Sequence, residues 1–222
     1  NRSFGRYLPD VIYGSLDGGV TTFASVAGAA GAGVSPIVTL VFGFANLFAD
    51  GFSMAVGDYL SRRSEQLYYK QQVDVERREI EISPVLAEEE LRIVYRRAGI
   101  DGKELEDIVK TLKKHKNVWV TEVLHHYLGI DDSDVEPFTS AVMTMAAFMI
   151  VGFLPLIPTI WGWGLNFWQM LVLVAGLLFG LGVLRSRLVA SSWYRSGFEI
   201  MVGGVGASLI AYGVGLVLGS FI

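Results

Sequence analysis

The sequence of 222 residues contains no cysteine, so disulfides and thiolate metal sites are excluded, and any bound metal must use oxygen, nitrogen or methionine sulfur. Charge is also scarce: 18% of the residues are charged, whereas a soluble domain usually carries about a quarter. Serine–histidine–aspartate, G-x-S-x-G and P-loop motifs are missing. These absences argue against an enzyme. The acidic net charge of −4, without a basic patch, argues against a nucleic-acid partner.

The charge that is present is concentrated in one block. Residues 61–136 hold 13 of the 18 Lys and Arg and 17 of the 22 Asp and Glu. Elsewhere the chain is apolar, with five stretches long enough to cross about 30 Å of hydrocarbon as helices. They lie near 10–32, 35–60, 137–158, 166–185 and 197–221. The pattern predicts an all-α membrane protein with five transmembrane helices and a helical cytosolic insert between helices 2 and 3. The predicted domains are 1–63, 64–134 and 135–222.

Arginines in the short connections predict the orientation, because such residues stay on the cytoplasmic side. They flank the predicted spans at Arg2, Arg6, Arg62, Arg63, Arg185, Arg187 and Arg195. The turns at 31–36 and 159–166 carry no charge. The N-terminus and the insert are therefore expected in the cytoplasm and the C-terminus on the far side. Residues 1–8 have no apolar core of a signal peptide, so the first apolar stretch is expected to remain as a membrane helix.

Three aspartates interrupt the first two apolar stretches: Asp17, Asp50 and Asp58. Each would cost about 2.5–3.5 kcal/mol if it faced lipid, so all three are expected to line a protein interior or a wet path. Asn46, Asp50, Met54 and Asp58 follow at steps of four on one helix face, which Asp17 can face from the first helix. These ligand types suit Fe²⁺ better than Ca²⁺ or Mg²⁺. Alternatively, Met54 fills a packing gap, Asp50 bonds to a neighbouring helix and Asp58 marks the membrane boundary.

The insert contains two further candidate sites. Glu76 and Glu79 share one helix face, and Glu88–Glu90 could meet them if the next helix folds back antiparallel. The alternative is a solvated face, because Arg77 and Arg78 lie beside this pair. The segment Glu122–His126 has the Glu-x-x-His spacing of di-iron bundles, but those need two copies and the chain has one. Polar surface histidines are therefore the alternative there.

Three motifs resemble signatures of the vacuolar iron transporter family. Asp10–Phe23 (DVIYGSLDGGVTTF) is similar to its first-helix signature, Gly43–Ser61 (GFANLFADGFSMAVGDYLS) to its second, and Gly152–Pro158 (GFLPLIP) to its third. The resemblance covers nearly the whole chain. It implies a homodimer without a resident cofactor. It also implies that Fe²⁺ leaves the cytosol in exchange for protons. Members of the family often move Mn²⁺ or other divalent metals as well, such as Zn²⁺ and Co²⁺.

The resemblance also implies roles for particular residues. Asp17 and Met54 correspond to membrane metal ligands at the dimer interface. Glu76 and Glu79 match carboxylates of the family's cytosolic metal-binding domain, and Glu90 matches another.

The chain departs from the plant-type pattern in the insert. That pattern has a further Glu near Ala87, and a Met and a Glu near Val123 and Tyr127, where this chain has no ligands. The candidates to replace them after a small shift are Glu88, Glu89 and His126.

The sequence therefore predicts a divalent metal transporter, in which protons compete with the metal for carboxylates along the path. Two alternatives stay open. One is a passive divalent cation channel that uses the same residues. The other is a membrane-anchored metal sensor or scaffold in which the insert is the working part. Cytosolic loading fits either a vacuolar membrane or a bacterial inner membrane.

Overall fold

All regular secondary structure in the computed structural model is helical across residues 5–131, 135–189 and 191–221, which are the residues that the structure describes. The all-α prediction is thus confirmed for those residues. The chain forms two compact units, residues 1–59 with 137–222, and residues 60–136. The boundaries predicted from the sequence, after residues 63 and 134, differ from these by a few residues.

The first unit is a bundle of long apolar helices. Its helices are α1 (Leu8–Gly31), the first part of α2 (Pro36–Ile82), α6 (Pro137–Phe153), α7 (Ile157–Ile160), α8 (Phe167–Val189) and α9 (Trp193–Gly219). A short 3-10 turn, Leu154–Leu156, joins α6 to α7. In the described part of the chain, four segments are long and apolar enough to cross a membrane: Pro36–Ile82, Pro137–Ile160, Phe167–Arg187 and Trp193–Gly219. These segments support an α-helical membrane protein.

Helix α1 is not among those four segments, although its 24 residues are long enough for a span. Its composition explains this, because Asp10, Asp17 and several glycines and hydroxyl residues lower its hydropathy. It packs along α6 and α9 and contributes Phe23 and Val26 to the apolar core. A helix surrounded by other helices needs less apolar surface than one that faces lipid. The fifth span stays a prediction.

Glycines allow α1 and α6 to approach closely. A Cβ atom at Gly14 would lie 2.4 Å from the Thr144 carbonyl oxygen, and one at Gly18 would lie 2.3 Å from the Phe148 carbonyl oxygen. Such distances are far inside van der Waals contact, so both positions require glycine. The α8 pair Gly176 and Gly180, which has the same spacing, has no atom within 4 Å of a Cβ built there. The first glycine pair therefore serves packing within this chain, whereas the second lies on an open face.

The second unit is a small helical domain with its own core. The second part of α2 runs without interruption to Ile82, and α2 ends there because Pro84 lacks an N–H and starts α3. The helices that follow are α3 (Pro84–Arg97), α4 (Gly102–Leu112) and α5 (Lys116–Glu122), and a π-helical turn covers Val123–Tyr127. Their buried faces share a core made of Ile80, Ala87, Leu91, Leu105, Val109, Trp119, Val120, Val123 and Leu124.

Candidate metal sites

The membrane unit contains a stripe of polar side chains for which the described residues supply no hydrogen-bond partner. Asn46 and Asp50 on α2 are half-buried, as is Asp17 on α1. Asp17 and Asp50 lie close enough for their negative charges to repel each other. Among the described residues, no hydrogen bond reaches the side chains of these three residues. Polar groups at such positions are normally paired, so this stripe is suited to a cation that the protein itself does not supply.

Met54 lies one turn beyond Asp50 on α2 and is also half-buried. It packs against the apolar cluster of the bundle that includes Leu47 and Phe148. Its thioether therefore borders both the core and the polar stripe, so both sequence interpretations of Met54 are compatible with the structure.

Asp58 belongs to a different arrangement. Its Oδ2 atom lies 2.7 Å from Ser140 Oγ and accepts a hydrogen bond of 3.2 Å from Thr144 Oγ1. Ser140 Oγ is also 2.7 Å from Oδ2 of Asp10, which is 5% exposed. Asp58 is thus held by hydroxyl groups of α6, and we leave it out of the proposed metal ligands. Asp10, which shares this serine with Asp58, was not among the residues predicted from the sequence. Its position seven residues before Asp17, two turns away on the same face, was the available signal.

Three carboxylates come together in the second unit. Glu76 and Glu79 on α2 and Glu90 on α3 each offer one oxygen, and these oxygens lie within 4.8 Å of one another. Glu76 is only 2% exposed, and its Oε1 atom has no hydrogen-bond partner among the described residues. The reversal of the chain at Ser83 and Pro84 brings α3 back onto α2, as the antiparallel interpretation requires. The donor set, three carboxylates with one buried oxygen left unbonded, fits a divalent cation.

The electrostatics of this cluster favour proton binding when no metal is present. Burial, with repulsion from Glu90 and Glu79, raises the pKa of Glu76 from 4.5 to about 7. Burial, with repulsion from Glu79, also raises the pKa of Glu90. A bound divalent cation would reverse both effects, because its positive charge favours the ionised carboxylates. The cluster therefore holds a proton on Glu76 up to about pH 7 when no cation is bound.

The other carboxylates proposed for the insert have different partners. Glu88 accepts hydrogen bonds from Lys113 at 2.6 Å and from Arg92 at 2.7 Å, and these cations lower its pKa. Glu89 accepts a hydrogen bond from Arg96 at 2.9 Å. The structure therefore does not bring Glu88 or Glu89 into the cluster, because both are already neutralised by arginines of α3 and by Lys113, which follows α4.

The histidine segment also remains apart from the cluster. His126 is about half-exposed, and its Nε2 atom lies 3.7 Å from a carboxylate oxygen of Glu122. Glu122 in turn accepts a hydrogen bond of 3.0 Å from the Tyr95 hydroxyl group. His125 turns instead to Asp131, which its Nδ1 atom contacts. His126 does not replace a ligand of the carboxylate cluster in the described part of the chain.

The chain is similar to known proteins over nearly its whole length. The model of the VIT family matches residues 8–216, which is nearly the whole chain.

The chain belongs to the VIT family.

Several relatives in this family carry names that denote transporters and not enzymes. Vacuolar iron transporter 1 of Arabidopsis thaliana is 30% identical over 215 residues, which cover 94% of this chain and 84% of the relative. The vacuolar iron transporter of Toxoplasma gondii is 31% identical over 225 residues, covering 96% and 74% of the two chains. Vacuolar iron transporter 1 of Eucalyptus grandis is 32% identical over 155 residues, covering 69% and 62%. The similarity thus extends through both units of the chain.

This VIT-family chain packs its side chains into the core at the three positions where the resemblance to the plant-type pattern implies further ligands. Ala87 and Val123 are 3% and 0% exposed and belong to the core of the second unit. Tyr127 is partly buried and packs against that core. The structure fills these positions by packing and leaves a cluster of three carboxylates in the described residues.

Proposed function

We propose that this protein transports divalent iron out of the cytosol in exchange for protons. The observation that carries the proposal is the pair of facing carboxylates, Asp17 and Asp50, which repel each other and have no hydrogen-bond partner in the described part of the bundle. Two unpaired carboxylates in an apolar bundle are costly unless a cation joins them. The names of the VIT relatives supply iron as the cation.

The proposed ligands in the membrane unit are Asp17, Asp50, Asn46 and Met54. Carboxylate and amide oxygens with one thioether suit a first-row divalent ion, so Mn²⁺ is a second proposed substrate. The same carboxylates bind protons once the metal has left, and this competition couples metal movement to proton movement without a separate proton site.

The proposed role of the insert is to collect metal on the cytosolic side. Glu76, Glu79 and Glu90 supply three oxygen ligands, and the pKa of Glu76, about 7, lets the site release protons as it binds metal near neutral pH. We further propose that the protein is a homodimer with its N-terminus and insert in the cytosol. A second copy would complete the coordination around Asp17 and Met54.

Reconstituted vesicles test the membrane path. The measurement is uptake of radioactive Fe²⁺ by vesicles that carry the full chain, with and without an imposed pH gradient. We expect Asp17→Asn to lower the initial rate about tenfold or more, because one charged ligand is lost. The matched control is Asp74→Asn, which removes an exposed aspartate of α2 in the second unit and is expected to leave uptake unchanged.

Three results would contradict parts of this proposal. Wild-type uptake rates in Asp17→Asn would refute the role of Asp17. Fe²⁺ uptake that only follows its own gradient, and never accumulates uphill on a proton gradient, would indicate a channel. Metal binding by the insert without any Fe²⁺ uptake would indicate a sensor or scaffold.

A further inference from the structure

A row of hydroxyl side chains continues from Asp17 along α1 toward the turn that joins α1 to α2. Thr21 Oγ1 donates a hydrogen bond of 2.7 Å to the Asp17 carbonyl oxygen, and Ser25 Oγ donates one of 3.0 Å to the Thr21 carbonyl oxygen. Both residues are half-buried, as Asp17 is. Because each hydroxyl hydrogen is donated to the backbone, the hydroxyl oxygens keep lone pairs that can accept a hydrogen bond or bind a cation.

The helices α1 and α2 lie side by side and run in opposite directions. Asp17 on α1 is close enough to Asp50 on α2 for their charges to repel each other. Val26, nine residues later on α1, lines a cavity with Thr39, which is eleven residues earlier on α2. The register between the two helices is therefore nearly constant from the carboxylates to the turn.

A buried hydroxyl group without a partner lies beside this row. The register places Thr21 and Thr22 at about the level of Asn46. Thr22 is 0% exposed, and its Oγ1 atom has no hydrogen-bond partner among the described residues. It lies where α1, α2 and α6 meet, because a Cβ atom at Gly152 would be 2.9 Å from Thr22 Oγ1 and 2.6 Å from Leu47 Cδ1. Buried hydroxyl groups are normally paired, so Thr22 fits a water molecule or an ion that the polypeptide does not supply.

A cavity of about 330 Å³ lies at the end of the row, where α1 turns into α2. Its walls come from α1, α2, α7 and α8 and include Thr39, Thr159 and Met170. Thr39 is 7% exposed, and its Oγ1 atom donates a hydrogen bond of 3.3 Å to the Ser35 carbonyl oxygen. The cavity has room for several water molecules. At 1.5 Å per residue, Thr39 is about 16 Å along α2 from Asp50.

We infer that these hydroxyl groups line an exit by which a divalent metal ion leaves Asp17 and Asp50 for the cavity beside Thr39. Four residues form this hydroxyl exit: Thr21, Thr22, Ser25 and Thr39. Neutral oxygens hold a divalent cation more weakly than carboxylates do, so the ion moves on as water restores its hydration shell. The cavity lies at the far side in the proposed orientation. The inference rests on the proposed transport function and assigns residues to release of the metal.

The alternative role of these hydroxyl groups is packing alone. A threonine or serine that donates to a carbonyl of its own helix is tolerated in an apolar bundle without any contact to water. The two roles differ in a measurable way, because an exit is wet and a packed helix interface is dry.

The chain contains no cysteine, so single introduced thiols report water along the exit without background. The experiment treats the full chain, reconstituted in vesicles, with a membrane-impermeant thiol reagent. We expect Ser25→Cys and Thr39→Cys to react at least about tenfold faster than Ser208→Cys, because a thiol needs water to ionise and react. Ser208 is the matched control, since it is 0% exposed and donates at 2.7 Å to the Gly204 carbonyl oxygen of its own helix. Modified Ser25→Cys should also lose Fe²⁺ uptake, because the adduct fills the passage.

Two results of this experiment would overturn the exit. One is reaction of Ser25→Cys and Thr39→Cys as slowly as Ser208→Cys, which would show a dry interface. The other is full Fe²⁺ uptake after complete modification of Ser25→Cys.

Uptake kinetics supply a second measurement with a milder change. Thr21→Val keeps the shape of the side chain and removes its oxygen. We expect the maximal rate of Fe²⁺ uptake to fall about fivefold or more without any rise in the half-saturating concentration, because release is slowed while the carboxylates remain. Thr21→Ser keeps the hydroxyl group and should restore most of the rate. A higher half-saturating concentration at an unchanged maximal rate would assign Thr21 to metal binding and would contradict its role in release.

The measurements separate this inference from the proposed function. Wild-type Fe²⁺ uptake together with unreactive thiols would overturn the exit and leave the proposed transport standing. Absence of Fe²⁺ uptake by wild type would refute the proposed transport, and with it the metal cargo of the exit, whatever the reactivity of the thiols.

Discussion

Replacing Glu76 should change the free energy of unfolding in opposite directions with and without bound metal. The prediction concerns Glu76→Gln in the second unit, where the glutamine keeps the shape of the side chain and removes its charge. The pKa of Glu76 is raised from 4.5 to about 7 in the folded chain, so the folded state binds the proton more tightly than the unfolded state. The stability that this proton provides is present below pH 4.5 and is lost as pH rises through about 7.

The magnitude follows from the two pKa values. At 1.36 kcal/mol for each pH unit, the interval from 4.5 to about 7 corresponds to about 3 kcal/mol. Metal-free wild type should therefore lose about 3 kcal/mol of unfolding free energy between about pH 4.5 and pH 8. Glu76→Gln should remove most of this loss and be the more stable protein at about pH 8. The raised pKa of Glu90 leaves a smaller slope in the variant.

Bound metal should make wild type more stable than Glu76→Gln and so reverse their order of stability. A ligand at one hundred times its dissociation constant adds about 2.7 kcal/mol to a protein that binds it only when folded. Wild type should gain this amount from Fe²⁺ or Mn²⁺, whereas Glu76→Gln lacks one of three charged ligands and should gain much less.

Urea denaturation of the detergent-solubilised full chain is the assay. The signal is tryptophan fluorescence. Trp119 is 3% exposed in the core of the second unit, so its fluorescence reports the unfolding of that unit. The other tryptophans are first replaced by phenylalanine; they are Trp161, Trp163, Trp168 and Trp193.

Glu89→Gln is the matched control. Glu89 is half-exposed and paired with Arg96, so the change should stay within about 0.5 kcal/mol. A metal-free Glu76→Gln protein that is less stable than wild type at about pH 8 would refute the argument, because burial would not then oppose the charge of Glu76.

Further predictions concern packing and a surface network. Gly18→Ala should lower the stability of the detergent-solubilised protein by about 1–3 kcal/mol, because the added methyl group collides with the Phe148 carbonyl oxygen. Gly176→Ala, on an open face, should have little effect in the same thermal unfolding measurement, and equal effects would contradict the packing argument. Glu88→Gln should destabilise the second unit at neutral pH by on the order of 1 kcal/mol. This effect should disappear as pH falls below 4.5, because the hydrogen bond from Lys113 lowers the pKa of Glu88 and its contribution is lost in acid. The measurement is urea denaturation at neutral pH and below pH 4.5. An equal loss of unfolding free energy in Glu88→Gln under the two conditions would contradict this reasoning.

Features that depend on local sequence were predictable. The helical class follows from the long apolar stretches, and the end of α2 follows from Pro84. The pairing of Glu76 and Glu79 on one helix face follows from their spacing, and the chain reversal brings Glu90 to them as expected. Such features need only the helical period and the rules for helix ends.

Features that depend on distant residues were not predictable in the same way. Asp58 was grouped with Met54 by its helical phase, but its partners Ser140 and Thr144 lie more than 80 residues away in sequence. Glu88 seemed able to replace a missing ligand, yet Lys113, which lies 25 residues away just after α4, neutralises it. Spacing shows which carboxylates share a face, whereas the group that compensates each charge comes from tertiary packing.

The nearest compensating group therefore distinguishes the roles of the acidic residues. Glu88 has cations within 2.7 Å and has no need of a metal. Asp58 accepts hydrogen bonds from hydroxyl groups of α6 and is not among the proposed metal ligands. Glu76 lies close to Glu79 and Glu90 instead. Because two like charges at close range oppose ionisation, only a proton or a metal cation relieves the repulsion. That restriction is the physical basis on which we propose that one site exchanges the two ions.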